Sequence, residues 1–240
     1  MAKVPKILAD LAERRGFTAR VLASEVLAPT LTRITFTSDY FRDHALSPCD
    51  VTSFRIAPDD FRHYTPESVD TDSGTATMLI HRHDDSDAPG TAMLDSLRPG
   101  DELTWCGMTS ARNFRWTSPA NAVAIGDTST LGLLVAMTRR AKQEDARFLA
   151  VAEVDPCALP YARELLPGSV VLAANSTPGA AVDDWLSTSQ PKLDEVAQAT
   201  VYLAGHGQSI QRQRDALRNR GFDRKAIKTQ PYWATGKVGL

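Results

Sequence analysis

The chain has 240 residues, 42% of them hydrophobic and 23% charged, and a formal net charge of −2. These proportions belong to a globular protein large enough for one big domain or two ordinary ones. The near-neutral balance, with no Lys/Arg-rich arm, excludes a global pull toward nucleic acid or an anionic membrane, and no stretch approaches the roughly 20 apolar residues that a membrane span requires.

Ile7, Leu8 and Leu11 stand at helical spacing among Lys, Asp, Glu and Arg. They predict a short leading helix packed on the domain, with a flexible tail as the alternative. From Phe17 the pattern changes to strands. Residues 18–27 read as one strand, and 30–37 alternate apolar and polar throughout. Further strands are expected at 51–56, 76–82 and 102–106, with turns at 38–50, 58–60, 68–74 and 98–101. Short strands separated by turns predict a small antiparallel barrel, which residues 90–97 interrupt with one or two helical turns.

After Trp116-Thr117-Ser118-Pro119 the periodicity changes again. Continuous apolar runs at 122–125, 148–154, 169–174 and 200–204 alternate with helical patterns. Such runs indicate a parallel sheet covered on both faces. The expected domains are 1–117 and 118–240, with the boundary near Ser118.

The stretch Arg62-His63-Tyr64-Thr65-Pro66-Glu67-Ser68 combines a fixed cation, an aromatic ring and a hydroxyl. In an extended segment Arg62 and Tyr64 project the same way and Thr65 the other. A guanidinium grips a phosphate bidentately, a ring covers a planar heterocycle, and a hydroxyl bonds that heterocycle's edge. The same pattern also suits an edge strand with an exposed Arg and a half-buried Tyr. Farther along, Gly90-Thr91-Ala92-Met93 opens a short helix, and a helix N-terminus offers unsatisfied donors to a phosphate. His81 and His83 share a strand face but lack a third ligand, so no metal site is expected. Gly126-Asp127-Thr128-Ser129 and Gly205-His206-Gly207 each sit where a buried strand turns into a helix. Asp127, Thr128 and Ser129 are good N-caps, and the second helix is expected to end at Gly221.

The Arg-x-Tyr-Thr spacing resembles the flavin motif of the ferredoxin–NADP reductase superfamily. A barrel followed by a parallel α/β domain is that superfamily's architecture. The tail Tyr232-Trp233-Ala234-Thr235-Gly236 and the Gly126-Asp127-Thr128 turn look like those of its siderophore-interacting branch. The resemblance implies an antiparallel Greek-key FAD-binding barrel followed by a Rossmann-like NAD(P)H-binding domain. It also implies an FAD-dependent ferric-siderophore reductase, with hydride transfer to the flavin and then single electrons to Fe(III). FAD would be held by Arg62, His63, Tyr64 and Thr65, by Gly90, Thr91 and Ala92, and by His81 beside the ring, with His83 solvated. Asp127, Thr128 and Ser129 would meet the NAD(P)H pyrophosphate or ribose, and Gly205 and His206 would lie near the nicotinamide. Trp233 would either cover the flavin or, with Tyr232, anchor a terminal strand. Lys237 would meet an anionic ferric siderophore, the implied substrate.

Three positions depart from the branch. Glu67 stands where a second Arg is usual, and a carboxylate near a phosphate repels it unless it points to solvent or pairs with a neighbour such as Arg55. Asn175 ends the third parallel strand without the usual cation, which leaves NADH, NADPH or a protein donor such as a ferredoxin open. His206 replaces an acidic residue. A general NAD(P)H:flavin oxidoreductase, or a siderophore-binding module without reductase activity, are the rival readings. Cys49, Cys106 and Cys157 are far apart and odd in number, which predicts free thiols in a reducing compartment. With a charged N-terminus unlike a signal peptide, the expected location is the cytoplasm.

Overall fold

The computed structural model describes residues 5–82, 89–189, 195–196 and 198–237. The chain divides into two compact units, Met1–Ala111 and Arg112–Leu240. The first contains α1 (Lys6–Arg14), β1 (Phe17–Ala28), β2 (Leu31–Thr37), α2 (Tyr40–Asp43), β3 (Thr52–Ala57), β4 (Asp60–Tyr64), β5 (Pro66–Asp70), β6 (Thr75–His81), α3 (Pro89–Ser96) and β7 (Glu102–Trp105). Five strands make an antiparallel sheet in the order β5-β6-β2-β1-β7, and β3 and β4 form a separate hairpin. Alternation in β2 does what the sequence predicts. Ile34 and Phe36 turn inward, opposite Met78 and Ala76 of β6, while Arg33 and Thr35 turn away. The core centres on Trp105, whose ring meets Phe41, Phe36 and Phe54 edge-on at 4.9, 5.3 and 5.6 Å.

The leading helix differs from expectation in the face it presents. Ala9 is buried, but Ile7 is 82% exposed and Leu8 and Leu11 are also outside. The cause is Arg55 on β3. Its side chain, 15% exposed, takes Asp10 at 2.9 Å and Glu13 at 2.7 Å, so the acidic side of α1 faces the β3–β4 hairpin.

The second unit contains β8 (Asn121–Asp127), α4 (Leu131–Gln143), β9 (Arg147–Val154), α5 (Leu159–Leu165), β10 (Val170–Ala173), α6 (Ala180–Thr188), β11 (Thr200–His206), α7 (Gly207–Asn219) and β12 (Ile227–Trp233). All five strands are parallel, in the order β10-β9-β8-β11-β12. The chain winds outward from β8 in one direction and then returns to β11 on its other side, which places the topological switch point between β8 and β11. Val123, Ile125, Val201 and Leu203 pack with Val182 and Leu186 of α6 and Ile210 and Leu217 of α7. Phe114 and Trp116, which precede the expected boundary, pack on Tyr202 of β11 at 5.7 and 5.6 Å. Lys228 of β12 donates to Arg115 O and Thr117 Oγ1, so this connection is fastened to the second unit.

No helix among the described residues is long and apolar enough to cross a membrane. The three cysteines are free thiols.

Trp105→Ala removes the ring on which four aromatic contacts converge, and no small rearrangement of a sheet core refills that volume. It is expected to lower the stability of the first unit by about 3–5 kcal/mol, read from urea unfolding.

Candidate functional site

Two clusters of the expected residues form, one in each unit. In the first, Arg62 and Tyr64 stand two apart on β4 and face α3 together, as extended geometry requires. Gly90, at the start of α3, is buried directly against them. A Cβ there would lie 2.9 Å from the Tyr64 hydroxyl and 3.1 Å from Arg62 Cγ. Only a glycine lets the helix backbone come this close. Leu94 and Leu97 anchor α3 in the core, and Arg82, just after β6, pairs with Asp95 at 2.9 Å.

Arg62 is held through one nitrogen. Its Nη1 donates to Asp60 Oδ1 and, at 2.9 Å, to the Phe61 carbonyl. Its Nε and Nη2 have no hydrogen-bond partner among the described residues. Asp60 is two residues upstream on the same strand face, a position that alternation alone picks out although the motif does not contain it. The Tyr64 ring lies 5.4 Å from Phe54, and burial pushes its hydroxyl up to about 12, so it is a neutral donor at all ordinary pH.

Thr65 is buried at the junction of β4 and β5. His63 turns outward, with Nδ1 2.7 Å from Ser53 Oγ. His81 ends β6 opposite Leu31. Ala92 is exposed on α3; the Thr91 side chain and all of His83 lie outside the described residues. Glu67 is buried, 3% exposed, and its carboxylate lies 3.7 Å from Arg33 of β2. Its neighbour is thus Arg33 rather than Arg55, which Asp10 and Glu13 occupy.

The second cluster gathers at the carboxyl ends of β8, β11 and β12, where the Asp127 carboxylate is a hub. One oxygen accepts the Ser129 N–H at 3.0 Å and the Ser129 hydroxyl. The other accepts the His206 N–H and Trp233 Nε1–H, both at 2.8 Å. The Asp127 N–H donates to Thr130 Oγ1, completing a capping box at the turn into α4. Gly205 has φ +108°, and a Cβ on it would lie 2.3 Å from Asp127 Oδ2, so both backbone and space demand glycine. Thr128 is turned inward, where its hydroxyl accepts the Asp155 N–H at 2.9 Å and ties the turn to β9.

His206 fastens the tail. Ser209 Oγ donates to Pro178 O at 2.7 Å, so its lone pair accepts from His206 Nδ1–H at 2.6 Å. Nε2 is then the acceptor for the Thr235 hydroxyl at 3.0 Å. This network assigns a neutral imidazole carrying its proton on Nδ1. Burial lowers the His206 pKa, Asp127 opposes that shift and Arg212 adds to it. The Trp233 ring packs 4.4 Å from the imidazole, and β12 runs parallel to β11 into this contact. Tyr232 and Trp233 therefore lie on β12, with Trp233 held by Asp127 and packed on His206. Lys237 is exposed beyond it.

Sequence reading missed Glu153, a buried acid near the end of β9. It accepts N–H groups from Gly179, Ala181 and Val182 at the start of α6. Its signal was an acidic residue inside an otherwise apolar run, which has to find donors. Among the described residues no group of His, Cys, Asp or Glu could hold a metal ion.

No family model matches the chain, and no curated protein matches it by sequence. Solved structures match it in fold. A siderophore-interacting protein from Acinetobacter baumannii has a TM-score of 0.75 at 14% identity, over 92% of this chain and 91% of that one. A siderophore utilization protein from T. fusca gives 0.72 at 19% identity, over 94% and 95%. The ferredoxin–NADP+ reductase from Plasmodium falciparum gives 0.72 at 10% identity, over 91% and 97%. The chain has the fold these proteins share, across nearly its whole length.

The His206 network has a pH signature. Its folded pKa lies below the unfolded value near 6.5, so the unfolded state takes up the proton first as pH falls. The stability from neutral His206 is complete above the unfolded value and is lost as pH drops toward the folded one. Urea midpoints of the second unit are expected to fall between about pH 7 and about pH 5 more steeply in the natural protein than in His206→Asn. His63, also lowered by burial, lies in the first unit and is common to both proteins.

Proposed function

We propose that the chain is an FAD-dependent oxidoreductase that takes electrons from a reduced nicotinamide nucleotide and passes them to a ferric siderophore. The observation that carries this reading is the packing of Gly90 on Tyr64 and Arg62, with the Nε and Nη2 edge of the guanidinium unpartnered among the described residues. That edge suits a diphosphate, because two parallel N–H groups match two phosphate oxygens. The first N–H groups of α3 have no partners within their own helix and stand beside it. Asp60 holds Nη1 and so fixes which edge is presented. Tyr64 keeps its proton, and its ring, fixed by Phe54, supplies a flat apolar surface for a heterocycle. Thr65, His63 and His81 extend the same neighbourhood in sequence.

FAD, when bound, supplies the conversion between two-electron donors and one-electron acceptors. The chain's own part is to bind and orient. In the second unit the switch point between β8 and β11 is the place for a nicotinamide nucleotide. There the Asp127 and Ser129 side chains are committed to the capping turn, with Gly205 and His206 buried beside it, so contacts to a nucleotide fall to the accessible atoms at the rim of that turn. Lys237, exposed after the Trp233 strand, offers a cation to an anionic ferric chelate. Ferrous iron is held far less tightly by hard oxygen ligands, so reduction frees it. The fold likeness to siderophore-interacting proteins supports that acceptor, and the likeness to a ferredoxin–NADP+ reductase supports the donor class.

Arg62→Ala is expected to weaken FAD binding about ten- to a hundredfold, the worth of a charged hydrogen-bond partner, in a titration followed by flavin fluorescence. Unchanged affinity would remove Arg62 from the diphosphate site. Anaerobic bleaching by NADH or NADPH, with reoxidation by ferric chelates, tests the donor and acceptor. Bleaching by a reduced ferredoxin alone would transfer the donor role to that protein.

A further inference from the structure

The second unit carries a marked electrostatic arrangement beside the place where an adenosine ribose would lie. In a parallel sheet with its switch point between β8 and β11, a dinucleotide's diphosphate sits at the turn after β8. Its adenosine ribose then lies beside the end of β9, the next strand outward. The turn from β10 into α6, residues 174–179, flanks that end. A 2′-phosphate there needs a cation or a free helix N-terminus, and a 2′-hydroxyl needs neither.

Both handles are already taken by carboxylates of this chain. The N-terminus of α6 is filled by Glu153, whose oxygens accept from Gly179 N at 2.6 Å, Ala181 N at 2.8 Å and Val182 N at 3.2 Å. This cap is built in. Gly179 has φ +82°, and a Cβ on it would lie 2.3 Å from Ser209 Oγ, so α7 holds the turn in the conformation that Glu153 requires. The turn itself, Ala-Asn-Ser-Thr-Pro-Gly, has no Lys or Arg, and the Asn175 side chain accepts from Thr177 N. The cation beside it is Arg212 of α7. Its Nε donates to Asp183 Oδ2 at 2.8 Å, and its Nη2 donates to Pro178 O at 2.7 Å. A phosphate entering here would meet a helix end already occupied by an anion, and a guanidinium already neutralised by another.

We propose that the chain selects NADH over NADPH, and that Glu153 and Asp183 set this preference by consuming the helix N-terminus and the guanidinium that a 2′-phosphate would use. The proposal rests on the reading of the second unit as a nicotinamide-nucleotide domain. The same two carboxylates that repel a 2′-phosphate leave a 2′-hydroxyl unopposed.

The test is calorimetric titration of the full chain with NAD+ and with NADP+. NAD+ is expected to bind at least about tenfold more tightly, the difference made by one missing charged partner. Asp183→Ala frees Arg212, and Asn175→Arg adds a guanidinium on an exposed turn. Each is expected to move the NADP+ to NAD+ affinity ratio about fivefold or more toward NADP+. Equal or tighter binding of NADP+ by the natural protein overturns the proposal. So does a ratio that neither variant moves. Binding of neither dinucleotide, with FAD still bound, overturns the domain reading itself and the preference with it.

Discussion

A guanidinium on a half-buried strand must be satisfied, and among the described residues Arg62 finds its hydrogen-bond partners through Nη1 alone. Asp60 and the Phe61 carbonyl hold Nη1, while Gly90 lets the start of α3 close over the arginine stem. The rest of the first unit keeps this arrangement in place. The Trp105 core packs against Phe54, Phe54 in turn packs on the Tyr64 ring, and Leu94 and Leu97 pin α3. A side chain at position 90 would force the helix or the Tyr64 and Arg62 side chains to shift, and removing Asp60 would leave Nη1 with the Phe61 carbonyl alone among the described residues.

The second unit treats its polar ends in the opposite manner. Where parallel strands turn into helices, exposed N–H groups are the usual result, and here two internal carboxylates answer them. Asp127 caps the turn into α4 and also holds the His206 backbone and the Trp233 indole. Glu153 caps α6. Burial pushes the Glu153 carboxyl up, against the pull of its three N–H donors. In the resulting strand-end surface β12 is tied to the switch point by the Asp127 and His206 side chains. Among the described residues, the first unit leaves one edge of Arg62 without a protein partner, whereas in the second Glu153 fills the N-terminus of α6.

Much of this was legible in order along the chain. Alternation placed Arg62 and Tyr64 on one face, and the shift from alternating to continuous apolar runs marked the change from antiparallel to parallel sheet. Asp127 as a cap and Gly221 as a helix stop followed from local chemistry, and Gly221 has φ +90°. What escaped was set by distant pairing. Nothing near Arg55 says that Asp10 and Glu13 will reach it, so the apolar residues of α1 were expected inside and stand outside. For Glu67 the sequence left solvent or a neighbouring arginine such as Arg55 open, and the arginine beside it, Arg33, arrives from β2 across the sheet. Trp233 was recognised as an anchor or a cover, but its partner, 106 residues away, is visible only once β8 and β12 flank β11.

The account stands most directly on where a bound flavin places its diphosphate. A crystal structure of the protein grown with FAD is predicted to show those phosphate oxygens within hydrogen-bonding distance of Arg62 Nε and Nη2 and of the first N–H groups of α3, with the Asp60 contact retained. A diphosphate bound elsewhere, with the Arg62 edge turned onto protein atoms, would contradict it.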